Sequence, residues 1–136
     1  MDILSFSVIA EYIKKEINHK CGLNISQTRI LLFFDKTKNE PLTMGKLAEG
    51  LDISLSTLSR QVQQQKTQSL ISVLKSEKDS SKIVALNSNG LKKAKELKVT
   101  LSEIQNSLFS SLKGDTTQNF VDILNSLAKQ SHVVEA

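Results

Sequence analysis

Chain breakers are scarce in this sequence, with one proline and five glycines among 136 residues. Aromatics make up 4% and tryptophan is missing, which disfavours strand-rich sandwiches and barrels against a mostly helical build. A single cysteine, Cys21, excludes an internal disulfide and fits a reducing compartment. Long apolar runs are missing too: the longest, Ile30 to Phe34, is far short of the roughly 20 residues that cross a bilayer. The opening MDILSFSVIAEYIKK has Asp2 where an export signal carries positive charge, and Glu11 interrupts its apolar content, so a cytoplasmic location is expected. No Gly-rich phosphate loop, nucleophile motif or paired acid and base is present, and neither an enzyme nor a cofactor is expected. His19 and His132 stand far apart without a cluster of Cys or carboxylate ligands, which gives no basis for a metal site.

What is present, 39% hydrophobic and 24% charged residues, suits one compact domain over residues 1–136. Ile3, Phe6, Ala10, Ile13 and Ile17 recur at helical spacing and predict a first helix. Cys21-Gly22-Leu23-Asn24 breaks it, and Ser26 is the expected N-cap of a second helix carrying Ile30, Leu31, Phe33 and Phe34. After Pro41, Thr43 caps a short helix from Met44 to Gly50, and Ser54 caps the next, expected over about Leu55 to Gln68. That pair has helix-turn-helix spacing. On the second helix Leu55, Leu58 and Val62 share one side, while Ser56, Thr57, Arg60, Gln63, Gln64 and Thr67 point largely away.

Leu70 to Leu74 and Lys82 to Leu86 are β-favouring runs around a polar tip, a β-hairpin. Helical spacing then resumes with Leu91, Ala94, Leu97, Leu101, Ile104, Leu108 and Leu112. Gly114 is expected to stop this helix, and Asp115 or Thr116 to cap a last one holding Phe120, Val121, Ile123, Leu124, Leu127 and Ala128.

The formal charge of +4 is unevenly spread. Arg29 to Lys98 holds thirteen basic and seven acidic residues, a net +6, and the two ends hold five and seven, a net −2. Positive charge on the helix-turn-helix and hairpin suits DNA phosphates, whose neutralisation releases counterions and gives salt-dependent affinity. A helix fits the major groove, where Arg60 matches guanine and Gln61 or Gln64 matches adenine. Ser54, Ser56 and Thr57 at its start suit phosphate or base contacts. Lys46 and Arg29 are further phosphate candidates, and Lys78, Ser80, Ser81 and Lys82 on the hairpin suit an adjacent minor groove or the backbone.

This order of elements resembles the MarR family of winged-helix transcription regulators. Leu47 to Val62, LAEGLDISLSTLSRQV, is similar to the family's helix-turn-helix. Val84 to Gly90, VALNSNG, is similar to its exit from the wing, and Cys21 to Leu31, CGLNISQTRIL, to the start of its second helix. Gln65, Ser69 and Ser80 or Ser81 stand where the family usually has an apolar residue, a Gly and a wing Arg. The resemblance implies a mainly α fold with a small β-hairpin: a winged helix-turn-helix over 26–90, with dimerisation helices at 1–20 and 91–131. It further implies a homodimer on a roughly palindromic double-stranded operator, acting as a repressor released by a small-molecule effector or by thiol oxidation. Cys21 is a candidate sensor, but it does not match the family's redox-sensing position, and the reading preferred over it is a structural or incidental free thiol. Apolar residues expected at the dimer interface are Ile3, Phe6, Ile13, Ile17, Leu101, Ile104, Leu108, Leu112, Phe120, Ile123, Leu124 and Leu127. A second reading is a winged-helix dimerisation or protein-interaction module with weak or lost specific DNA binding.

Overall fold

The computed structural model describes residues 1–78 and 81–135, with side chains described as far as residue 131. Its elements run α1 (Ser5–Cys21), α2 (Ile25–Lys36), β1 (Leu42–Thr43), α3 (Met44–Leu51), α4 (Leu55–Gln63), α5 (Gln65–Gln68), β2 (Ile71–Lys75), β3 (Lys82–Leu86), α6 (Ser88–Phe109) and α7 (Gly114–Glu135). Two compact units divide the chain, Met1–Leu101 and Ser102–Ala136, and α6 runs through the boundary.

Within the first unit each helix stops and starts where side chains satisfy the backbone. Gly22 ends α1 in the left-handed region at φ 68°, its N–H donating to Asn18 O at 2.8 Å. The cap of α2 is Asn24, two residues before the expected Ser26. The Asn24 side chain accepts from the Gln27 N–H, and the Gln27 side chain accepts from the Asn24 N–H, a reciprocal capping box. Ser26 instead donates its hydroxyl to Asn24 Oδ1 at 2.8 Å. Thr43 and Ser54 cap α3 and α4 as the sequence predicts, accepting from Lys46 N and Thr57 N. Between those helices Asp52 turns the chain at φ 57°, a conformation Asp and Asn tolerate better than most residues.

The β-hairpin gains a third strand. β1 pairs antiparallel with β3, Leu42 opposite Val84, and β3 pairs antiparallel with β2, Val73 opposite Val84, giving the order β1-β3-β2. Asn39 pins the end of β3 away from the hairpin tip by accepting from Leu86 N and donating to Leu86 O. Asn87 secures the same end on the β2 side, donating to Ser69 O and Ile71 O while its Oδ1 accepts from Gly90 N at the start of α6.

The core of this unit joins helices and sheet. Leu23, Leu31, Phe34, Leu47, Leu58, Val84 and Leu97 are fully buried. Ala94, Leu97 and Thr100 form the inward stripe of α6 in this unit, and Cys21 Sγ donates to Thr100 Oγ1 at 3.3 Å. Leu55 and Leu91, expected among the inward residues, are 53% and 45% exposed.

In the second unit α6 ends at Phe109, so Leu112 lies in the turn that follows. Gly114 opens α7 instead of ending α6, and Lys113 O accepts from Thr116 N and Thr117 N in its first turn. Phe109 and Phe120 meet edge to face at 5.6 Å.

Candidate nucleic-acid interface

The helix-turn-helix is held on its inner side by apolar contacts and leaves its outer side polar. Leu47 and Ala48 bury the inner face of α3, and Leu58 that of α4. Gly50 lets α3 approach α2 closely, since a Cβ there would overlap the Phe33 ring unless that ring shifted. With the inner face anchored in this way, the helical period turns Ser56, Arg60 and Gln63 outward, and all three are exposed.

A hydroxyl cluster forms the amino end of α4. Ser54 Oγ accepts from Thr57 N at 3.1 Å, donates to Thr57 Oγ1 at 2.8 Å and lies 3.1 Å from Ser56 Oγ. Helix N-termini attract anions through their unpaired N–H groups and dipole, and hydroxyls grouped there add donors that rotate toward a phosphate. Farther along, the Arg60 guanidinium is exposed and has no ion-pair partner among the described residues, so its five donors are available to a ligand. Gln61 is half-buried beside it.

Lys46 is exposed on α3, Arg29 on α2, Lys78 beyond β2 and Lys82 at the start of β3. No ion pair involves these four cations among the described residues. Ser81 is half-buried, and Ser80 lies outside the described residues. Between α4 and the hairpin runs a groove of about 390 Å³, with Ser59, Val62 and Gln63 on one wall and Ile71, Val73 and Lys82 on the other. Lys82 therefore stands across a groove from α4.

The far end of the expected recognition helix differs from its sequence reading. α4 stops at Gln63, because Gln64 is extended at φ −61° and ψ 133°, and α5 is a separate turn. Gln64 is exposed, but its Oε1 accepts from Asn24 Nδ2 at 3.0 Å and from Gln27 Nε2 at 3.4 Å. Thr67, expected on the outer face, is 1% exposed and accepts from Gln27 Nε2 at 3.3 Å. Gln65, the polar residue at an apolar family position, is exposed after the break. Sequence reasoning missed Ser59 as a groove residue and Gln27 as the hub of this network, for a helix-period pattern carries no mark of long-range amide pairing.

The apolar residues expected at a dimer interface fall into two groups. Ile17 and Ile104 are buried within one copy, which makes them core residues, and Ile13, Leu101 and Leu108 are half-buried. Ile3 in the turn before α1, Phe6 on α1, Leu112 in the later turn, and Phe120, Ile123, Leu124 and Leu127 on α7 are exposed. Leu4, Val8 and Ile9, not anticipated, are exposed apolar residues as well. Among the described residues no group of three or more His, Cys, Asp and Glu is placed to hold a metal ion. No described helix is long and apolar enough to cross a membrane.

Neither a family model nor a curated protein matches the chain. Solved structures do. The S. aureus MepR–DNA complex superposes with a TM-score of 0.79 over 96% of this chain and 98% of that one, at 18% identity. MarR gives 0.77 over 99% and 94%, at 14% identity. The PcaV transcriptional regulator from Streptomyces coelicolor, in complex with its natural ligand, gives 0.73 over 92% and 89%, at 16% identity. The chain thus has the mainly helical winged-helix fold that its resemblance to the MarR family implies.

Proposed function

We propose that this protein is a MarR-like, sequence-specific DNA-binding transcription regulator that works in the cytoplasm as a homodimer, a binding protein and not a catalyst. The observation that carries the reading is α4 itself: a helix anchored by Leu58 that presents a capped hydroxyl cluster and an unpaired Arg60 to solvent. A fold shared with a structure solved on DNA supports the same reading.

In this reading α4 enters the major groove, where Arg60 donates two hydrogen bonds to a guanine edge and Gln61 pairs with adenine. Ser54, Ser56 and Thr57 meet the phosphate at the groove's rim. Lys46, Arg29, Lys78 and Lys82 neutralise neighbouring phosphates, and Ser80 and Ser81 add hairpin contacts to the minor groove or backbone. Gln64, whose amide oxygen is held by α2, contributes by fixing the end of α4 more than by reading a base. Exposed apolar residues of α1 and of α7 are covered by a second copy, and the two-fold axis sets a palindromic operator. Repression is the sign we assign, relieved by a small-molecule effector.

Fluorescence anisotropy on a preferred duplex and a scrambled one tests this. Arg60→Ala is expected to weaken the preferred duplex by about ten-fold or more and the scrambled one far less, as loss of a bidentate base contact requires. Lys82→Ala is expected to weaken both alike and to flatten the salt dependence by about one counterion. Equal loss on both duplexes for Arg60→Ala would place the base readout elsewhere. Binding of wild type that is insensitive to salt and sequence would favour the interaction-module reading.

A further inference from the structure

The break at Gln64 has no proline or glycine to cause it. From Leu58 inward, the helical period passes through Val62 to Gln65, so an unbroken helix would turn the Gln65 amide toward the core. With the break, Gln65 is exposed and Thr67 takes the inner place at 1% exposure. The side chain that recognises this altered register is Gln27, itself 4% exposed. Its Oε1 accepts from Asn24 N at 3.0 Å, which completes the cap of α2. Its Nε2 donates to Thr67 Oγ1 at 3.3 Å and to Gln64 Oε1 at 3.4 Å. Every polar group of one buried amide is thus used, half of it on the start of α2 and half on the end of the DNA-facing helix.

We propose that Thr67 is a positioning residue for DNA recognition: its hydroxyl, held by Gln27, fixes the angle at which the chain leaves α4 and so the seating of Arg60 and Gln61. The proposal rests on the DNA reading above. Thr67 cannot touch DNA because it is buried, so any effect of its hydroxyl on base preference must pass through the position of α4. A buried donor left without its partner is costly, so Gln27 admits few geometries of the 64–67 segment other than the one observed.

Two substitutions separate the hydroxyl from the packing. Thr67→Val keeps the shape and loses the acceptor, whereas Thr67→Ser keeps the acceptor and loses a methyl group. The readouts are discrimination between preferred and scrambled duplexes and amide exchange at Gln68 and Ser69, whose N–H groups bond back to Gln64 O and Gln65 O. Thr67→Val is expected to cut discrimination about five- to ten-fold, the worth of one buried hydrogen bond, and to speed exchange at those amides. Exchange at Thr28, in the first turn of α2, stays as in wild type, and Thr67→Ser stays near wild type in every readout. Asn24→Asp is the second variant. It keeps the capping oxygen, loses the amide that Gln64 accepts from, and is expected to shift both readouts in the direction of Thr67→Val.

Equal losses for Thr67→Ser and Thr67→Val would overturn the proposal in favour of packing alone. Faster exchange with discrimination intact would overturn the coupling to DNA while leaving the DNA reading standing. A wild-type protein without preference for any duplex would overturn the DNA reading and this role with it.

Discussion

Two glycines in α3 show how local surroundings decide the sign of one substitution. Alanine favours a helix over glycine by about 0.5–1 kcal/mol. A Cβ on Gly45 meets nothing within 4 Å, so Gly45→Ala is expected to stabilise the protein by that amount. A Cβ on Gly50 would overlap the Phe33 ring, whose edge packs on Phe34 at a ring separation of 6.3 Å. Overpacking of this kind costs about 1–3 kcal/mol and outweighs the helical gain, so Gly50→Ala is expected to destabilise. Urea denaturation of the two variants checks both signs. Gly50→Ala at or above wild-type stability would mean that Phe33 swings aside freely.

The same contrast governs where elements join. Gly90 lies within the first turn of α6, where helix propensity alone favours alanine. Yet a Cβ there would overlap the Leu70 carbonyl, which already accepts from Asn87 N at 3.1 Å. Gly90→Ala is expected to cost about 1–3 kcal/mol in a denaturant titration and to loosen the junction between α5, β2 and α6. A gain in stability would contradict the close approach. Helices α1 to α4, the paired strands and α6 were legible in the sequence because apolar spacing and capping residues such as Thr43 and Ser54 mark them locally. Strand β1 was not, since two residues, Leu42 and Thr43, carry no alternation. The break at Gln64 was hidden for another reason: it is set by Asn24 and Gln27, about forty residues away, and not by any local breaker. Asn24 displaced Ser26 as a cap because Gln27, three residues on, completes its box. Of the exposed residues on the outer side of α4, Ser56 and Arg60 were legible from helical period and Ser54 as its cap, whereas burial of Thr67 and engagement of Gln64 followed from the break.

For the whole chain, charge and apolar surface divide the work. The +6 of Arg29 to Lys98 covers the helix-turn-helix and hairpin, and the flanking −2 accompanies helices rich in exposed apolar residues. Leu4 and Val8, four residues apart at the start of α1, share one exposed face at 66% and 70% exposure, Phe6 is exposed at 45% on another, and Phe120, Ile123, Leu124 and Leu127 lie along one face of α7. Leaving this much aliphatic surface wet disfavours a monomer at working concentrations. Phe6→Glu together with Ile123→Glu is expected to halve the molecular mass measured by sedimentation. It is also expected to weaken operator binding by more than any single lysine substitution, since paired recognition helices bind with the advantage of linked sites. A wild-type protein that sediments as a monomer would contradict the dimer. The most direct measurement is selection of duplexes from a random pool by wild type and by Arg60→Ala, followed by sequencing. Wild type is expected to enrich a two-fold symmetric motif with half-site centres about one DNA turn apart, and Arg60→Ala to lose the most informative guanine in each half. No enriched motif from wild type, or the same motif from Arg60→Ala, would contradict base reading by α4.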